Sequence, residues 1–438
     1  MKRKLSTMAA FAVALAGSIS AQEVLAIKAG TVNIGNGTEP VENAVILIQD
    51  GRIQKIGQGL EIPWNAKVID ASSMYVMPAW VQAHGSGGMD RENENIQVTP
   101  YLSVLDSIEP VSTYFEACRR NGIGTIHVLP GNACQIAGRG VVVKPDGKTP
   151  EQMAVVQLAG MKMSLQPKRG GRSKHVAELR KALDDAKEHL ADLKRQEREF
   201  KEDKDNGATT EEEFDLEDKI DPLKKPLLDL IVDKKTAAFL YVPRASDVPT
   251  AIRLYRDYKF KTVFILGPDC YKAAKILKSA QDKWEIPMIL DPTLEVIDKD
   301  PITEEETRLC TAKVFYDEGI IFALSAVTSS SRHRSVNMAL TMPWWQIATC
   351  VRWGVPEDVA IAAFTAIPAR ILGLSDRIGT LEEGKDANLQ ILGAPPLEPE
   401  CQVKYLLVGG EVIYDRNKDP RVKLLTGRKD RKPHKEGR

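Results

Sequence analysis

The sequence predicts an α/β fold: a (β/α)8 TIM-like barrel with a smaller β-domain built from both chain ends. Three observations carry this. Short apolar segments alternate with helical stretches through the middle of the chain. Hairpin signals stand near both ends. At 438 residues the chain is long enough for one large barrel and an accessory domain.

The first hairpin is Ala44-Val-Ile-Leu-Ile-Gln49 and Arg52-Ile-Gln-Lys-Ile56, joined by Asp50-Gly51, a pair that readily takes the positive φ of a two-residue turn. The second joins Val403–Val408 to Glu411–Tyr414 through Gly409-Gly410. Between them, eight strands are expected at Tyr75–Val81, Gly124–Leu129, Gly140–Lys144, Met161–Leu165, Ala237–Val242, Thr262–Leu266, Ile286–Leu290 and Ile320–Leu324. Most are β-branched, continuously apolar and followed by a helix, as parallel strands covered on both faces should be. From Ser173 to Phe200, apolar residues at Val176, Leu179, Leu183, Ala186, Leu190 and Leu193 step by three and four among charged residues. This predicts a long amphipathic helix laid on the barrel wall.

Composition excludes several classes. Lys+Arg and Asp+Glu are equal at 60 each, so no basic face for nucleic acid is indicated. No apolar run of the roughly 18 residues needed to span a bilayer occurs. Residues 1–21 are expected to be a secretory signal peptide: Lys2, Arg3 and Lys4 precede the apolar run Met8–Gly17, and Ser18, Ser20 and Ala21 supply small residues for cleavage. Export to the periplasm or the cell exterior is therefore expected. Cys118, Cys134, Cys270, Cys310, Cys350 and Cys401 follow no regular spacing, and are read as small buried apolar residues rather than disulfide partners.

Gly379–Asp386 nearly spells a phosphate-binding loop but lacks the Ser/Thr that holds magnesium, and a strand follows where a helix is needed. Of six histidines, His175 and His189 lie on the charged helix and His434 in the tail, leaving His84, His127 and His333 as candidates. His127, on an apolar strand, reads as a core histidine. Trp344-Trp345 reads as packing against the barrel.

The segments Leu47–Gly57, Val68-Ile-Asp-Ala71 and Tyr75-Val-Met-Pro-Ala-Trp-Val-Gln-Ala-His84 resemble the entry into an amidohydrolase-superfamily barrel, closest to the imidazolonepropionase-like branch. Gly122–Gly131, Gly138–Lys144, Phe364–Ala369, Ile371–Leu374 and Asp376–Ala387 extend the resemblance. It implies a composite β-sandwich domain from 22–76 and 386–418 and a barrel over 77–385, and the residues themselves add a charged helical segment at 173–222 and a basic disordered tail at 419–438 to the signal peptide expected over 1–21. It also implies hydrolysis of carbon–nitrogen bonds other than peptide bonds, by one or two divalent metals such as zinc at the barrel mouth.

Matched position by position, that metal site is largely gone. His84 stands at the first histidine of a His-x-His pair, with Ser86 at the second and Gln82 at the preceding acid. Lys162 stands at the lysine that bridges metals. Tyr241 or Pro243, Leu266 and Val327 occupy the remaining positions. Four of six expected ligands are thus replaced, and no metal or other cofactor is expected. Asp90, Asp247, Asp269 and Asp291 are the carboxylates that would rebuild a site. Catalytic candidates are His84, Lys162 and Asp291, with Lys162 expected to pair with Asp291. Ser86, Tyr241, Arg244, Leu266 and Val327 are expected to line the pocket. The reading is an exported pseudoenzyme that binds a small molecule or partners a second copy or an active paralogue. The alternative is a hydrolase working through a relocated metal or metal-free acid/base chemistry.

Overall fold

The computed structural model describes residues 24–206, 213–326 and 342–426, apart from Arg169 and Pro399. The expected signal peptide, Val327, His333 and residues 427–438 lie outside the described residues. Four strands come first: β1 (Val24–Val32), β2 (Val41–Gln49), β3 (Arg52–Gln58) and β4 (Lys67–Pro78). The central region supplies β5 (Trp80–Gly85), β6 (Ile123–Val128), β7 (Ile136–Arg139), β8 (Val141–Val143), β9 (Ala154–Val156), β10 (Met161–Ser164), β11 (Ala237–Val242), β12 (Lys261–Leu266) and β13 (Met288–Leu290). A hairpin of β14 (Glu295–Lys299) and β15 (Glu306–Cys310) follows, and β16 (Leu389–Leu392), β17 (Val403–Val408) and β18 (Glu411–Asp415) end the series.

The two chain ends share one seven-stranded sheet in the order β18-β17-β16-β4-β1-β2-β3. Its buried face comes from strict alternation: Ala44, Ile46 and Ile48 of β2 point inward beside Ile27 and Ala29 of β1, and meet Leu389, Ile391 and Leu407. The two hairpin turns flagged in the sequence touch each other. Ala387 N–H donates to Gly51 O at 2.8 Å, and Gly410 N–H donates to Ala387 O at 3.2 Å. Gly51 has φ +75°, and a Cβ there would sit 2.7 Å from Gly409 O, so contact at this point requires glycine.

The central strands form two sheets, β13-β12-β11-β10-β7 and β5-β6-β8-β9. β10, β11, β12 and β13 run parallel, as do β5 and β6. The mixed α/β layout is that of a TIM-barrel-type fold. Three expected strands differ. Tyr75–Val81 divides between β4 and β5. The expected third strand pairs antiparallel with β6, because the connection from Val128 to Val141 holds no helix to carry a parallel crossover. Ile320–Leu324 pairs with β13 only at Ala323, whose N–H reaches Met288 O at 2.8 Å and whose O accepts from Leu290 N–H at 2.9 Å.

Side chains alternate across the parallel strands. Phe239 and Tyr241 of β11, Val263 and Ile265 of β12, Ile289 of β13 and Ala323 form an interior cluster with Ala83 and Leu129. Leu240, Val242, Phe264, Leu266, Met288 and Leu290 point the other way, into the layer beneath the helices. The long helix spans Arg172–Asp205 and buries Leu179, Leu183, Ala186 and Leu193 in that layer, against the helix Lys225–Ile231. Part of the tail expected to be disordered is ordered: Pro420–Thr426 is helical, and Asp419 before it pairs with Arg120 at 2.6 Å. The six cysteines are free thiols, five of them buried. Among the described residues no helix is long and apolar enough to cross a membrane.

Candidate functional site

β5 carries His84 one residue before its end, and the parallel strand β6 carries His127 on its interior face. β10 alternates Met161 and Met163 outward with Lys162 and Ser164 inward, so its two polar side chains share one face. Lys162 is 0% exposed. Its Nζ donates to His84 Nε2 at 3.0 Å and lies 5.6 Å from the centre of the Tyr241 ring, within reach of a cation–π contact. Among the described residues no carboxylate comes within ion-pair distance of Lys162. Burial alone lowers its amine to a pKa of about 7.

Both imidazoles are held neutral. Burial, then the cationic forms of Lys162 and His127, hold His84 well below the usual histidine range. His127 is fully buried and donates from Nδ1 to Ala83 O at 3.1 Å. Its Nε2 has no partner among the described residues, and a Cβ on Gly140 would come within 2.7 Å of it. Burial, with a smaller contribution from the Lys162 charge, pushes this imidazole down to about 3 despite that bond. Phe239 meets the His127 ring edge-on at 4.5 Å. Tyr241 is held above the ordinary phenol range, first by burial and then by the Asp291 charge.

Gln82, in the place of the expected acid, works as a backbone clamp. Its Nε2 donates to His84 O at 2.6 Å and Ala326 O at 3.0 Å, and its Oε1 accepts from Ala326 N–H at 3.2 Å. Asp291 does not pair with Lys162. It accepts from Thr293 N–H at 2.9 Å, and burial raises its carboxyl pKa. Leu266 does not face the site, because β12 presents Val263 and Ile265 inward and Leu266 outward. Ser86 is buried close to His84 in the chain, and Arg244 is exposed just after β11. Of the expected pocket residues, Tyr241 is therefore the one seen in contact with Lys162. Trp344 and Trp345 stand edge-to-face at 5.8 Å and remain 40% and 37% exposed.

Sequence reading placed His127 in the core but not beside His84. The signal was available: Thr125, His127 and Leu129 fall on one face of β6, the face that reaches the interior. Ser164 was missed too. Its Oγ donates to Asn132 O at 2.7 Å, and its backbone O accepts from His175 Nε2 at 2.8 Å, pinning the long helix to β10. Beside that junction a cleft of about 490 Å³ is lined by Asn95, Gln97, Gln135, Lys168, Lys174, His175 and Glu178. A larger groove of about 1010 Å³ lies where the Thr113–Arg120 helix meets the two hairpin turns, and none of the candidate residues lines it.

A catalytic zinc takes about three protein donors and one open position. Here the His84 Nε2 lone pair already accepts from Lys162, and Asp291 is engaged by Thr293. Among the described residues no three His, Cys, Asp or Glu side chains converge on one point. These donors do not fit the divalent metal that the fold family implies.

Comparison with known proteins gives concordant results. A family model for the amidohydrolase family matches residues 318–414. Amidohydrolase tasK of Hapsidospora irregularis is 22% identical over 84% of this chain. The chain spans 40% of that relative's length. The crystal structure of an amidohydrolase from Thermotoga maritima MSB8 superposes with a TM-score of 0.70 at 25% identity, covering 89% of this chain and 100% of the other. Molinate hydrolase, at 15% identity with a TM-score of 0.52 and covering 90% of this chain and 95% of its own, shares the fold. So does an adenosine deaminase from Xanthomonas campestris with bound zinc, at 13% identity and a TM-score of 0.51 over 92% and 96% of the two chains. The matched segment and the shared architecture are those of amidohydrolases.

Proposed function

We propose that this protein binds a small molecule at the C-terminal end of β10 without a metal, its superfamily's hydrolytic centre having been replaced by the Lys162–His84 pair. Family membership implies hydrolysis of non-peptide carbon–nitrogen bonds. The observation that sets this chain apart is the 3.0 Å contact from Lys162 Nζ to His84 Nε2. It occupies the lone pair a metal would need, with no third donor brought alongside by the described residues. The polar cleft of about 490 Å³ lined by Gln135, His175 and Glu178, which is not lined by Lys162 or His84, is the size of a small-molecule site and supports binding past the end of β10. The basic start and short apolar run of residues 1–21 support export, and the hairpin-to-hairpin contact supports a composite β-domain from 22–76 and 386–418. Partnership with a second copy or an active paralogue belongs to the same proposal, since a chain that binds without turnover acts through what it delivers or joins.

A second reading, metal-free hydrolysis, is favoured by one feature. An amine near pKa 7 in contact with a neutral imidazole can exchange protons with water or with a leaving nitrogen at neutral pH. A panel of cyclic amides and N-acylated amino acids, followed by thermal shift and by product release with and without added zinc, separates the two. Binding that raises Tm with no turnover and no zinc dependence is the expected result. Zinc-dependent turnover lost in Lys162→Met would overturn the metal-free reading.

A further inference from the structure

The cleft of about 490 Å³ beside the long helix is walled by charged and carboxamide side chains, with no Trp, Tyr or Phe among the described residues that line it. Its floor is Gln135, only 2% exposed, whose Nε2 donates to Glu178 Oε2 at 2.7 Å. No described residue bonds the Gln135 Oε1, so a buried carboxamide leaves an acceptor for whatever enters the cleft it lines. Lys174 and Glu178 stand one turn apart on the Arg172–Asp205 helix, Nζ to Oε1 at 3.6 Å. The bond from Gln135, with the Lys174 charge, holds the Glu178 carboxyl below its ordinary range and keeps it ionised. Lys168, in the loop before the helix, reaches Glu94 O at 3.4 Å and carries a second ammonium to the rim. The helix starts at Gly171 with no side-chain cap and no acid in its first turn, which adds positive potential on the same side. Asn95 and Gln97 close the opposite wall, fixed where Ile136 N–H donates to Gln97 O at 3.0 Å.

These groups sort the ligands by charge. A dicarboxylate would set its second anion against Gln135 Oε1 and Glu178, and a diamine would set its second cation against Lys168 and Lys174. An α-amino acid satisfies both sides, because its ammonium and carboxylate lie roughly 3 Å apart by ordinary bond lengths. That spacing matches the 3.6 Å of the Lys174–Glu178 pair, so the ligand can lie head-to-tail along it. We propose that this cleft binds a polar α-amino acid as its zwitterion. The ammonium sits on Glu178 and Gln135 Oε1, the carboxylate on Lys174 and Lys168, and the side chain meets the carboxamides of Asn95 and Gln97. The inference rests on the binding reading above and names its ligand, using neither Lys162 nor His84.

The test is calorimetric titration of the full chain at neutral pH, with metal content measured on the same sample. The probes are L-glutamine, glutarate, 1,5-diaminopentane and 5-aminopentanoate, the last carrying the zwitterion's charges too far apart. L-Glutamine should bind, and the other three at least ~10-fold more weakly. Glu178→Gln keeps an oxygen for Gln135 and removes only a half-exposed ion pair, so the fold is retained. It should weaken L-glutamine at least ~10-fold and leave glutarate no weaker, whereas Lys174→Gln should weaken both. Glutarate binding more tightly than L-glutamine overturns the zwitterion, as does equal binding of L-glutamine and 5-aminopentanoate. L-Glutamine affinity unchanged in Glu178→Gln puts the ligand elsewhere and overturns this site. No binding by any probe overturns the amino-acid cleft, and leaves the binding reading standing where cyclic amides still raise Tm. About one metal per chain beside the expected pattern overturns the metal-free reading alone.

Discussion

Removing an ammonium from water costs several kcal/mol unless a counter-charge comes with it or the proton leaves. Lys162 has an imidazole and an aromatic face but no acid among the described residues, so its proton is loosely held. The unfolded amine keeps its proton to about pH 10.4 and the folded one only to about 7. Between these values the unfolded state binds more protons, so stability rises with pH across that window and is lowest below it. Lys162→Met should therefore raise Tm, by something on the order of 2–4 kcal/mol of stability below pH 7, with the gain shrinking toward pH 10. Thermal melts at pH 6 and pH 10 check it; equal gains at both would contradict the assignment. His127 has the same sign at lower pH. Its folded pKa of about 3 against about 6.5 unfolded means stability is lost as pH falls from about 6.5 toward 3. Acid titration of His127→Gln, followed by circular dichroism, should show that part of the slope removed.

The strands and helices were unevenly legible in the sequence. Ile46 and Ile48 facing Asp50-Gly51 announced their hairpin, because a half-buried strand alternates and its turn chemistry is specific. The long helix was legible for a similar reason, its seam of Leu179, Leu183 and Leu193 standing out among charges. β12 was legible as a strand but its interior face was not, since Thr262-Val-Phe-Ile-Leu266 is apolar on both faces. Leu266 was expected in the pocket from its place in the family resemblance, and no pattern within the strand could show that it lies outside. β10 carries the opposite lesson: Lys162 and Ser164 alternating with methionines fix the interior face unaided. Gln82 marks a limit, because its bonds run to Ala326, far away in the chain, and no local pattern records them. Leu183 is fully buried between the long helix and the barrel wall, so Leu183→Ala should cost about 2–5 kcal/mol by chemical denaturation. A cost under about 0.5 kcal/mol would mean that the helix stands free of the wall.

The whole molecule is organised by contacts between residues far apart in sequence. The turn at Gly51 meets the turn at Gly409-Gly410, and Arg120 reaches Asp419 at 2.6 Å, with Tyr414 on the same carboxylate at 3.1 Å. Both chain ends must therefore be present before the composite sheet is complete. Gly51→Ala forces a side chain against Gly409 O at positive φ and should cost about 1–3 kcal/mol. The loss should appear in a transition shared with the barrel if the two parts unfold together, which calorimetry reads directly. The rest of the architecture is that of amidohydrolase structures, and the proposed metal-free reading rests on Gln82, Lys162 and His84 bonding to protein atoms. Elemental analysis of the purified full chain, never exposed to chelator, decides the matter. The structure predicts less than about 0.1 equivalents of zinc, iron or manganese per chain, unchanged in His84→Gln. About one equivalent, lost in His84→Gln, would show that the Lys162–His84 contact yields to a metal and that the binding-only reading is wrong.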